Sequence, residues 1–242
     1  MGSHWKWRLE EERESRMLVD LHSHSTVSDG TLTIEAMVAA AEQRGYDAYA
    51  VTDHAMGGLN NHRDMAAAVR SEIGRLSRHT CVQLFAGVEL SDYPPDRIDR
   101  AARDARDAGA QVIVVHGECV SMKVEPGTNS AAVRSLDVDI LAHPGLLSEE
   151  DAVEARRHDV YIELSARQGH CLANGHVYQV VRLAGARVVV DSDAHDAEGL
   201  LSTEKVAAVV CGAGASLLYL TRVREQYAPG IIQKVLRRPA LV

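Results

Sequence analysis

Short apolar runs alternate with longer stretches of helical periodicity along almost the whole chain. The runs are rich in Val, Ile and Leu, which is typical of parallel strands buried on both faces. They predict strands over residues 17–21, 48–52, 82–87, 111–115, 138–141, 160–164 and 186–190. These runs follow one another without linkers or low-complexity segments, which indicates a parallel sheet covered by helices.

The stretches between the runs predict the covering helices. Apolar residues recur there three and four positions apart, and Thr33 stands where the first helix needs a cap. The predicted helices are 34–44, 61–78, 98–108, 129–135, 149–157, 175–183 and 203–212, followed by an apolar segment at 216–220 and a helix near 223–236. Because no Gly-x-Gly-x-x-Gly motif follows the first strand, the pattern favours a closed barrel over an open dinucleotide-binding sheet.

The composition fits one α/β barrel with an aliphatic core. The chain has 242 residues, of which 46% are hydrophobic, and it contains only one Phe. That length suits a single barrel. We expect one domain over residues 1–242, with an N-terminal arm or short helix over 1–16 and the barrel over 17–242.

Charge and cysteine usage narrow the expected setting. The net charge of −8 argues against nucleic acid or an anionic membrane as a partner bound through bulk charge. The four cysteines are scattered, without a Cys-x-x-Cys pair, and no apolar stretch has the length of a signal peptide or a membrane span. We therefore expect a cytoplasmic protein whose cysteines are reduced.

Nearly every predicted strand ends in a side chain that can bind a metal ion or an anion. In strand order the motifs are DLHSHS, TDH, GVEL, VVHGE, LAHPG, IELSAR and DSDAH. In a parallel barrel these ends meet at one rim, where active sites are built. Side chains alternate along a strand, so the members of each His-x-His or Asp-x-His pair face the same way. The candidate ligands are His22, His24, Asp29, His54, Glu89, His116, His143, Asp193 and His195.

The number of these groups indicates a metal cluster. One histidine at a strand end is more often packed in the core or exposed than a ligand. Many imidazoles and carboxylates on one rim, however, stay poorly solvated unless cations neutralise them. One zinc takes about three protein ligands, so the set suits two or three divalent ions (Zn, Mn or Fe), with Glu89 as a bridge. His62, His79 and His158 fall on predicted helices among charged neighbours, and we expect them at the surface.

In this order and at these strand ends, the motifs resemble the PHP family, named for polymerase and histidinol phosphatase domains. The resemblance runs from about Leu18 to His195. It implies a distorted (β/α)7 barrel, similar to a TIM barrel, that carries two or three metal ions and hydrolyses phosphate esters. It also implies three ion sites, formed by His22, His24, Glu89 and Asp193, by Glu89, His116 and His143, and by Asp29, His54 and His195. Some members of the family have His where this chain has Asp29.

The expected activity is hydrolysis of a small phosphate monoester. The stretches EPGTN at 125–129 and ARQGHCLANGH at 166–176 resemble the histidinol-phosphatase-like branch, so histidinol phosphate, and with it histidine biosynthesis, is a candidate. Bound ions would activate a water and offset phosphate charge. The predicted catalytic residues are Glu89, Arg167, His170 and His176, and the predicted substrate-binding residues are Arg167, Asn129, His170 and His176.

Three alternatives stay open. A nucleotide phosphoesterase or exonuclease could use the same cluster, although the chain is acidic and lacks a basic patch interleaved with aromatics. A metal-dependent amidohydrolase also begins with His-x-His on a barrel. A third possibility is a barrel retained as a subunit of an RNA–protein complex, which the full set of ligands disfavours.

Overall fold

Parallel strands form a nearly closed barrel in the computed structural model, which describes residues 17–237. The predicted arm over residues 1–16 lies outside the described residues. The strands are β1 (Val19–Asp20), β2 (Ala48–Val51), β3 (His54–Met56), β4 (Gln83–Ser91), β5 (Val112–His116), β6 (Ile140–Ala142), β7 (Tyr161–Ser165) and β8 (Val188–Asp191). Their order is β1-β2-β4-β5-β6-β7-β8, and β3 also pairs with β4.

Strands β2 and β3 both pair with β4, one after the other along its length. Val51 pairs with Ala86 and His54 pairs with Glu89, so the register against β4 is the same on both sides of the interruption. Counting β2 and β3 as one interrupted strand, the barrel has seven strands, as predicted. The sequence prediction did not include the interruption. The resumed segment brings His54 alongside Glu89.

Helices follow the strands, and most of them cover the outside of the barrel. They are α1 (Ile34–Gln43), α2 (His62–Leu76), α3 (Pro95–Asp107), α4 (Thr128–Arg134), α5 (Glu149–His158), α6 (Asn174–Ala184), α7 (Thr203–Gly212), α8 (Leu217–Arg222) and α9 (Ala228–Arg237). A 3-10 turn, His170–Ala173, precedes α6, and a π-helical segment, Val223–Tyr227, joins α8 to α9. Within residues 17–237 no helix combines the length and apolar character needed to cross a bilayer.

The interior of the barrel is aliphatic at one end and polar at the other. Every second strand residue, such as Phe85, Val112 and Val114, joins a buried cluster that includes apolar residues of α9. Continuing the same alternation turns Glu89 and His116 inward at the carboxyl ends of β4 and β5. Helix α9 lies at the opposite end of the barrel, where Lys234 Nζ donates to the backbone oxygens preceding β6 and β7.

The seam between β1 and β8 closes in two ways. Just beyond the strands, Asp193 N donates to His22 O at 2.9 Å and His24 N donates to Ala194 O at 2.8 Å. Deeper in the barrel two buried carboxylates replace backbone pairing: Asp191 Oδ1 accepts from Leu21 N, and Asp20 Oδ1 accepts from Ser192 N. The seam therefore brings the His-x-His segment beside the Asp-x-His segment.

Candidate metal centre

Five buried side chains converge where the strands end. His22 and His24 follow β1, Glu89 lies near the end of β4, His143 follows β6 and Asp193 follows β8. The potential ligand atoms of His22, His24 and Glu89 lie within 4.8 Å of one another, and so do those of His22, His143 and Asp193. Residues far apart in the sequence thus form one cluster.

The centre of the cluster lies between two imidazoles and two carboxylates. The Nε2 atoms of His22 and His24 are 3.1 Å apart, and they lie 3.4 and 3.5 Å from Glu89 Oε2. His24 Nε2 is also 3.2 Å from Asp193 Oδ1. These separations bring potential ligand atoms around a common point.

Glu163 determines which nitrogen of His22 faces this point. His22 Nδ1 donates a hydrogen bond of 2.6 Å to Glu163 Oε2, and both side chains are fully buried. With Nδ1 protonated, the lone pair of the neutral ring lies on Nε2, toward His24 and Glu89. The prediction from the sequence did not include Glu163 among the site residues, although Glu163 shares a strand face with Tyr161, which points into the barrel.

A second group adjoins the first on the side of β5 and β6. The ligand atoms of Glu89, His116 and His143 lie within 4.8 Å of one another. His143 Nε2 is 3.6 Å from Glu89 Oε1, and His116 Nδ1 donates to Gly117 O at 3.1 Å, which leaves its Nε2 available. Glu89 therefore belongs to both groups, as a bridging carboxylate must.

The third group lies nearer to solvent. His24, Asp29, His54 and His195 offer ligand atoms within 4.8 Å of one another. Asp29 Oδ2 is 3.2 Å from His195 Nε2 and 3.7 Å from His54 Nε2, and its side chain is 54% exposed. All nine candidate ligands from the sequence thus fall into three adjoining groups.

Several buried polar atoms of the cluster have no hydrogen-bond partner among the described residues. They are both carboxylate oxygens of Glu89, both ring nitrogens of His143 and Nδ1 of His24. Leaving such atoms buried and unpaired costs free energy. Imidazole nitrogens and carboxylate oxygens are ligands of divalent transition metals, so these residues fit a cluster of such ions.

Neighbouring imidazoles lower the pKa values of two carboxylates of the cluster. Burial raises the pKa of Glu89, but the neighbouring His54 and His22 outweigh it and hold that pKa well below its usual range. Burial likewise raises the pKa of Asp193, and His22, His170 and His24 bring it well below its usual value. Two anionic groups therefore stand at the centre of the cluster.

Two residues of the cluster adopt unusual backbone conformations. His143 has φ 29° and Asp193 has φ 51°, and residues other than glycine rarely adopt such positive φ values. Such strain persists where the surrounding structure over-determines it, and it concentrates at functional sites.

A cavity of about 510 Å³ opens over the cluster. Its polar wall carries His116, Arg167, His170 and ligands of the outer group, and its apolar wall is formed by Val27, Met56, Leu59, Met65 and Met122. Arg167 Nη1 donates to Asp193 O at 2.9 Å and contacts His195 Nδ1. His170 Nδ1 donates to Asp193 Oδ2 at 3.0 Å. Arg167 and His170, two of the four predicted substrate-binding residues, therefore face the cavity.

Two other predicted substrate residues are placed elsewhere. His176 is exposed on α6, and its Nε2 donates to Leu147 O. Asn129 is buried, with its amide donating to Pro144 O and accepting from Glu118 N. The Glu118 carboxylate accepts from Asn129 N and Gly127 N at the start of α4, so an anion already occupies that helix start. The structure does not bring either side chain to the cavity.

His62 departs from the expected surface position. It lies on a helix, as predicted, and is the first residue of α2, but it is buried, and its Nδ1 lies 2.9 Å from the hydroxyl of Tyr93. Sequence reasoning also gave no role to Cys119, which is buried close to His116 and His170.

Comparison with protein families identifies the PHP domain over residues 20–115. The chain is 34% identical over 220 residues to the uncharacterised protein MJ1295 of Methanocaldococcus jannaschii. The aligned region covers 90% of this chain and 100% of MJ1295. It is 28% identical over 203 residues to the DNA polymerase/3′-5′ exonuclease PolX of Bacillus subtilis, covering 75% of this chain and 35% of PolX.

Solved structures share the barrel at low sequence identity. A chain of archaeal ribonuclease P, in a complex with mature tRNA, matches with a TM-score of 0.67 and 17% identity, over 93% of this chain and 94% of that chain. The histidinol phosphate phosphatase of Lactococcus lactis, solved with zinc, L-histidinol and phosphate, matches with a TM-score of 0.54 and 12% identity, over 82% and 94%. Similarity at this level shows the fold alone.

Proposed function

The chain belongs to the PHP family of phosphoesterase-like hydrolases, and we propose that it is a metal-dependent phosphatase acting on a small phosphate monoester. The observation that carries this proposal is the meeting of all nine candidate ligands in three adjoining groups at the barrel mouth. Histidinol phosphate is one candidate substrate, supported by the shared fold of the Lactococcus lactis phosphatase.

The proposed ion sites divide the nine candidate ligands of these adjoining groups into three sets. His22, His24, Glu89 and Asp193 would hold one ion, Glu89, His116 and His143 a second, and Asp29, His54 and His195 a third. Divalent ions bound there would lower the pKa of a water and offset the charge of a phosphate group.

Arg167 is the proposed phosphate-binding residue. Among the described residues lining the cavity it is the only Lys or Arg, and its Nη1 lies 3.3 Å from Asp193 Oδ1. A guanidinium can contact two phosphate oxygens at once. It would therefore orient the phosphate group over the cluster.

His170 is the proposed proton donor to the leaving oxygen. Its ring faces the cavity, and its Nδ1 donates to Asp193 Oδ2. Burial lowers the pKa of His170, but Asp193 and Cys119 outweigh it and raise that pKa above its usual value. A protonated imidazole beside the cavity is suited to general acid catalysis. We keep His176 and Asn129 outside this proposal because their side chains are engaged elsewhere.

The size and lining of the cavity support a small substrate. A volume of about 510 Å³ falls within the range of small-molecule sites. The apolar wall of Val27, Met56, Leu59, Met65 and Met122 would pack against the organic part. The net charge of −8 disfavours a long nucleic acid.

A nucleotide or oligonucleotide phosphoesterase is the second candidate. The 28% identity to PolX of Bacillus subtilis, an exonuclease by name, favours it. The same cluster and Arg167 could bind a terminal phosphate, so the two candidates differ in the organic part of the substrate and not in the ion sites.

A phosphate-release screen tests the proposal. Full-length protein would be analysed for bound metals, treated with a chelator and reloaded with manganese or zinc. Histidinol phosphate, sugar phosphates, mononucleotides, short oligonucleotides and a set of amides would then be offered as substrates. The proposal expects metal-dependent release of phosphate from at least one small monoester. Turnover confined to oligonucleotides would favour the second candidate, and turnover confined to amides, or none by the metal-loaded protein, would contradict the proposal.

A further inference from the structure

Cys119 lies beside the cluster in a position that the proposed function does not use. It follows β5 by three residues and is only 6% exposed. The potential ligand atoms of His116, Cys119 and His170 lie within 4.8 Å of one another. A thiolate is a strong ligand for zinc and other soft divalent ions.

The surroundings of Cys119 differ from those of an ordinary buried cysteine. Such a residue usually packs as a small apolar side chain. Here the neighbours are imidazoles, and the Ser121 hydroxyl donates to Sγ at 3.5 Å. His143, whose two buried ring nitrogens have no hydrogen-bond partner within residues 17–237, packs between His116 and His170 at ring-centroid distances of 4.4 and 4.1 Å. The thiol therefore stands among imidazoles that can bind a cation.

The backbone around Cys119 is held in place from two sides. A Cβ added to Gly117 would lie 2.3 Å from Ala142 O, and one added to Gly145 would lie 2.0 Å from Glu118 O. These two glycines let the segments approach each other closely. Asn129 also accepts from Glu118 N and donates to Pro144 O, which ties the two segments together. The thiol thus occupies a fixed position.

We propose that Cys119 binds, through its thiolate, the divalent cation held at His116. This inference rests on the proposed metal-binding role of His116. His170 also belongs to this group, but its Nδ1 is engaged by Asp193, and we keep it as the proton donor. A sulfur ligand would make this position favour zinc, cobalt or iron over manganese or magnesium.

Cobalt provides a direct probe of sulfur ligation. Chelator-treated full-length protein would be loaded with Co²⁺, because a cobalt–thiolate bond gives an intense charge-transfer absorption in the near ultraviolet. We expect this band in the wild type and its loss in Cys119→Ser, while the visible cobalt bands show that the metal is still bound. The matched control is Cys171→Ser, a partly exposed cysteine next to His170, which should keep the band.

The same variants should differ in metal preference. We expect the ratio of zinc to manganese affinity to fall by about tenfold or more in Cys119→Ser, and to stay unchanged in Cys171→Ser. An unchanged charge-transfer band in Cys119→Ser, or its loss in Cys171→Ser, would overturn the inference.

A second measurement covers the case in which Cys119→Ser does not fold. Zinc-edge X-ray absorption on the wild type should show sulfur scattering at about 2.3 Å. A zinc shell of nitrogen and oxygen alone, at about 2.0–2.1 Å, would overturn the inference. If that protein still releases phosphate from a monoester, the proposed function stands and only the role of Cys119 fails.

Discussion

Glu163 shows how a buried side chain can orient a candidate ligand without being one itself. Its carboxylate accepts from His22 Nδ1 and thereby directs Nε2 toward Glu89. Groups that orient a ligand imidazole in this way also raise its basicity. Metal affinity should therefore depend on Glu163 as well as on the nine candidate ligands.

Replacing Glu163 should weaken metal binding while the barrel stays folded. We expect Glu163→Ala to lower zinc affinity by about 10–100-fold, because the ring of His22 loses its fixed orientation. Glu163→Gln should lie between this variant and the wild type, since its amide oxygen can still accept from Nδ1. Competition with a coloured chelator would measure the affinity, and Glu72→Ala, a partly exposed carboxylate on α2, serves as the control. Unchanged affinity in Glu163→Ala would show that Glu163 has no such role.

Arg167 should affect substrate binding and leave metal content unchanged. Arg167→Ala removes a charged hydrogen-bond donor to phosphate, worth about 1.5–3 kcal/mol, so KM should rise by about 10–100-fold. Metal content should match the wild type because Arg167 is not among the candidate ligands. Steady-state kinetics with the best monoester would measure this, with Arg100→Ala, 88% exposed, as the control. A wild-type KM would argue against phosphate binding by Arg167.

The sequence predicted that the candidate ligands lie at one rim, because strand ends impose a simple rule. Any ligand type directly after a buried parallel strand reaches the same rim, so the order of His22, Glu89, His143 and Asp193 along the chain was enough. The rule does not apply to His176, because this residue lies on α6, which begins at Asn174. The helix directs the His176 ring to Leu147 O instead of the cavity. A helix face is set by packing, which strand positions do not reveal.

At the scale of the elements, the loops after β5 and β6 position two residues of the candidate site, Cys119 and His143. Gly145 has φ 61°, and its missing side chain leaves room for Glu118 O. This close approach positions His143 on one side and Cys119 on the other. The geometry of the centre thus depends on two glycine-containing loops as much as on the strands.

A side chain at Gly145 should lower the free energy of unfolding. Gly145→Ala combines a positive φ with a Cβ at 2.0 Å from Glu118 O, so we expect a loss of about 2–4 kcal/mol in the free energy of unfolding. The control is Gly74→Ala, inside α2, where a Cβ meets nothing within 4 Å and should stabilise the protein by about 1 kcal/mol. Urea unfolding would measure both. Equal effects of the two substitutions would contradict the close approach.

Most elements could be predicted from periodicity, and their ends were set by local chemistry. Helix α7 matches the predicted 203–212, and its cap is Ser202, whose hydroxyl accepts from Lys205 N. Helix α3 begins at Pro95, three residues earlier than predicted, because proline is favoured at the first helical position. The short β3 was missed, since three residues after a break carry no usable period.

At the scale of the whole molecule, one end of the barrel interior is filled by apolar side chains and the other by carboxylates and imidazoles. Helix α9 packs its apolar residues on the interior cluster at one end, and the carboxylates and imidazoles gather at the other. The sequence predicted the closed barrel and the helix near 223–236. It could not place α9 across the barrel end, because amphipathic periodicity does not identify the surface that a helix covers.

Cations should stabilise the whole fold. Ions that bind the native cluster at 100 times their Kd add about 2.7 kcal/mol of stability. For a chain of this length we expect chelation to lower Tm by about 5–10 °C, and readdition of zinc or manganese to restore it. Calorimetry of the metal-loaded and chelated protein would measure the shift. Equal Tm values in both states would indicate that these residues do not bind ions in the folded protein.

The most direct test of the central claim compares bound metal in the wild type and in Glu89→Gln. Glu89 belongs to two of the ligand groups, and both of its buried oxygens lack hydrogen-bond partners among the described residues. Elemental analysis of the purified, metal-reloaded proteins should find two or three divalent ions per wild-type chain and at least one fewer in the variant. Phosphate release should fall by about 10³-fold or more in Glu89→Gln. A variant with the same metal content and full activity would contradict the account.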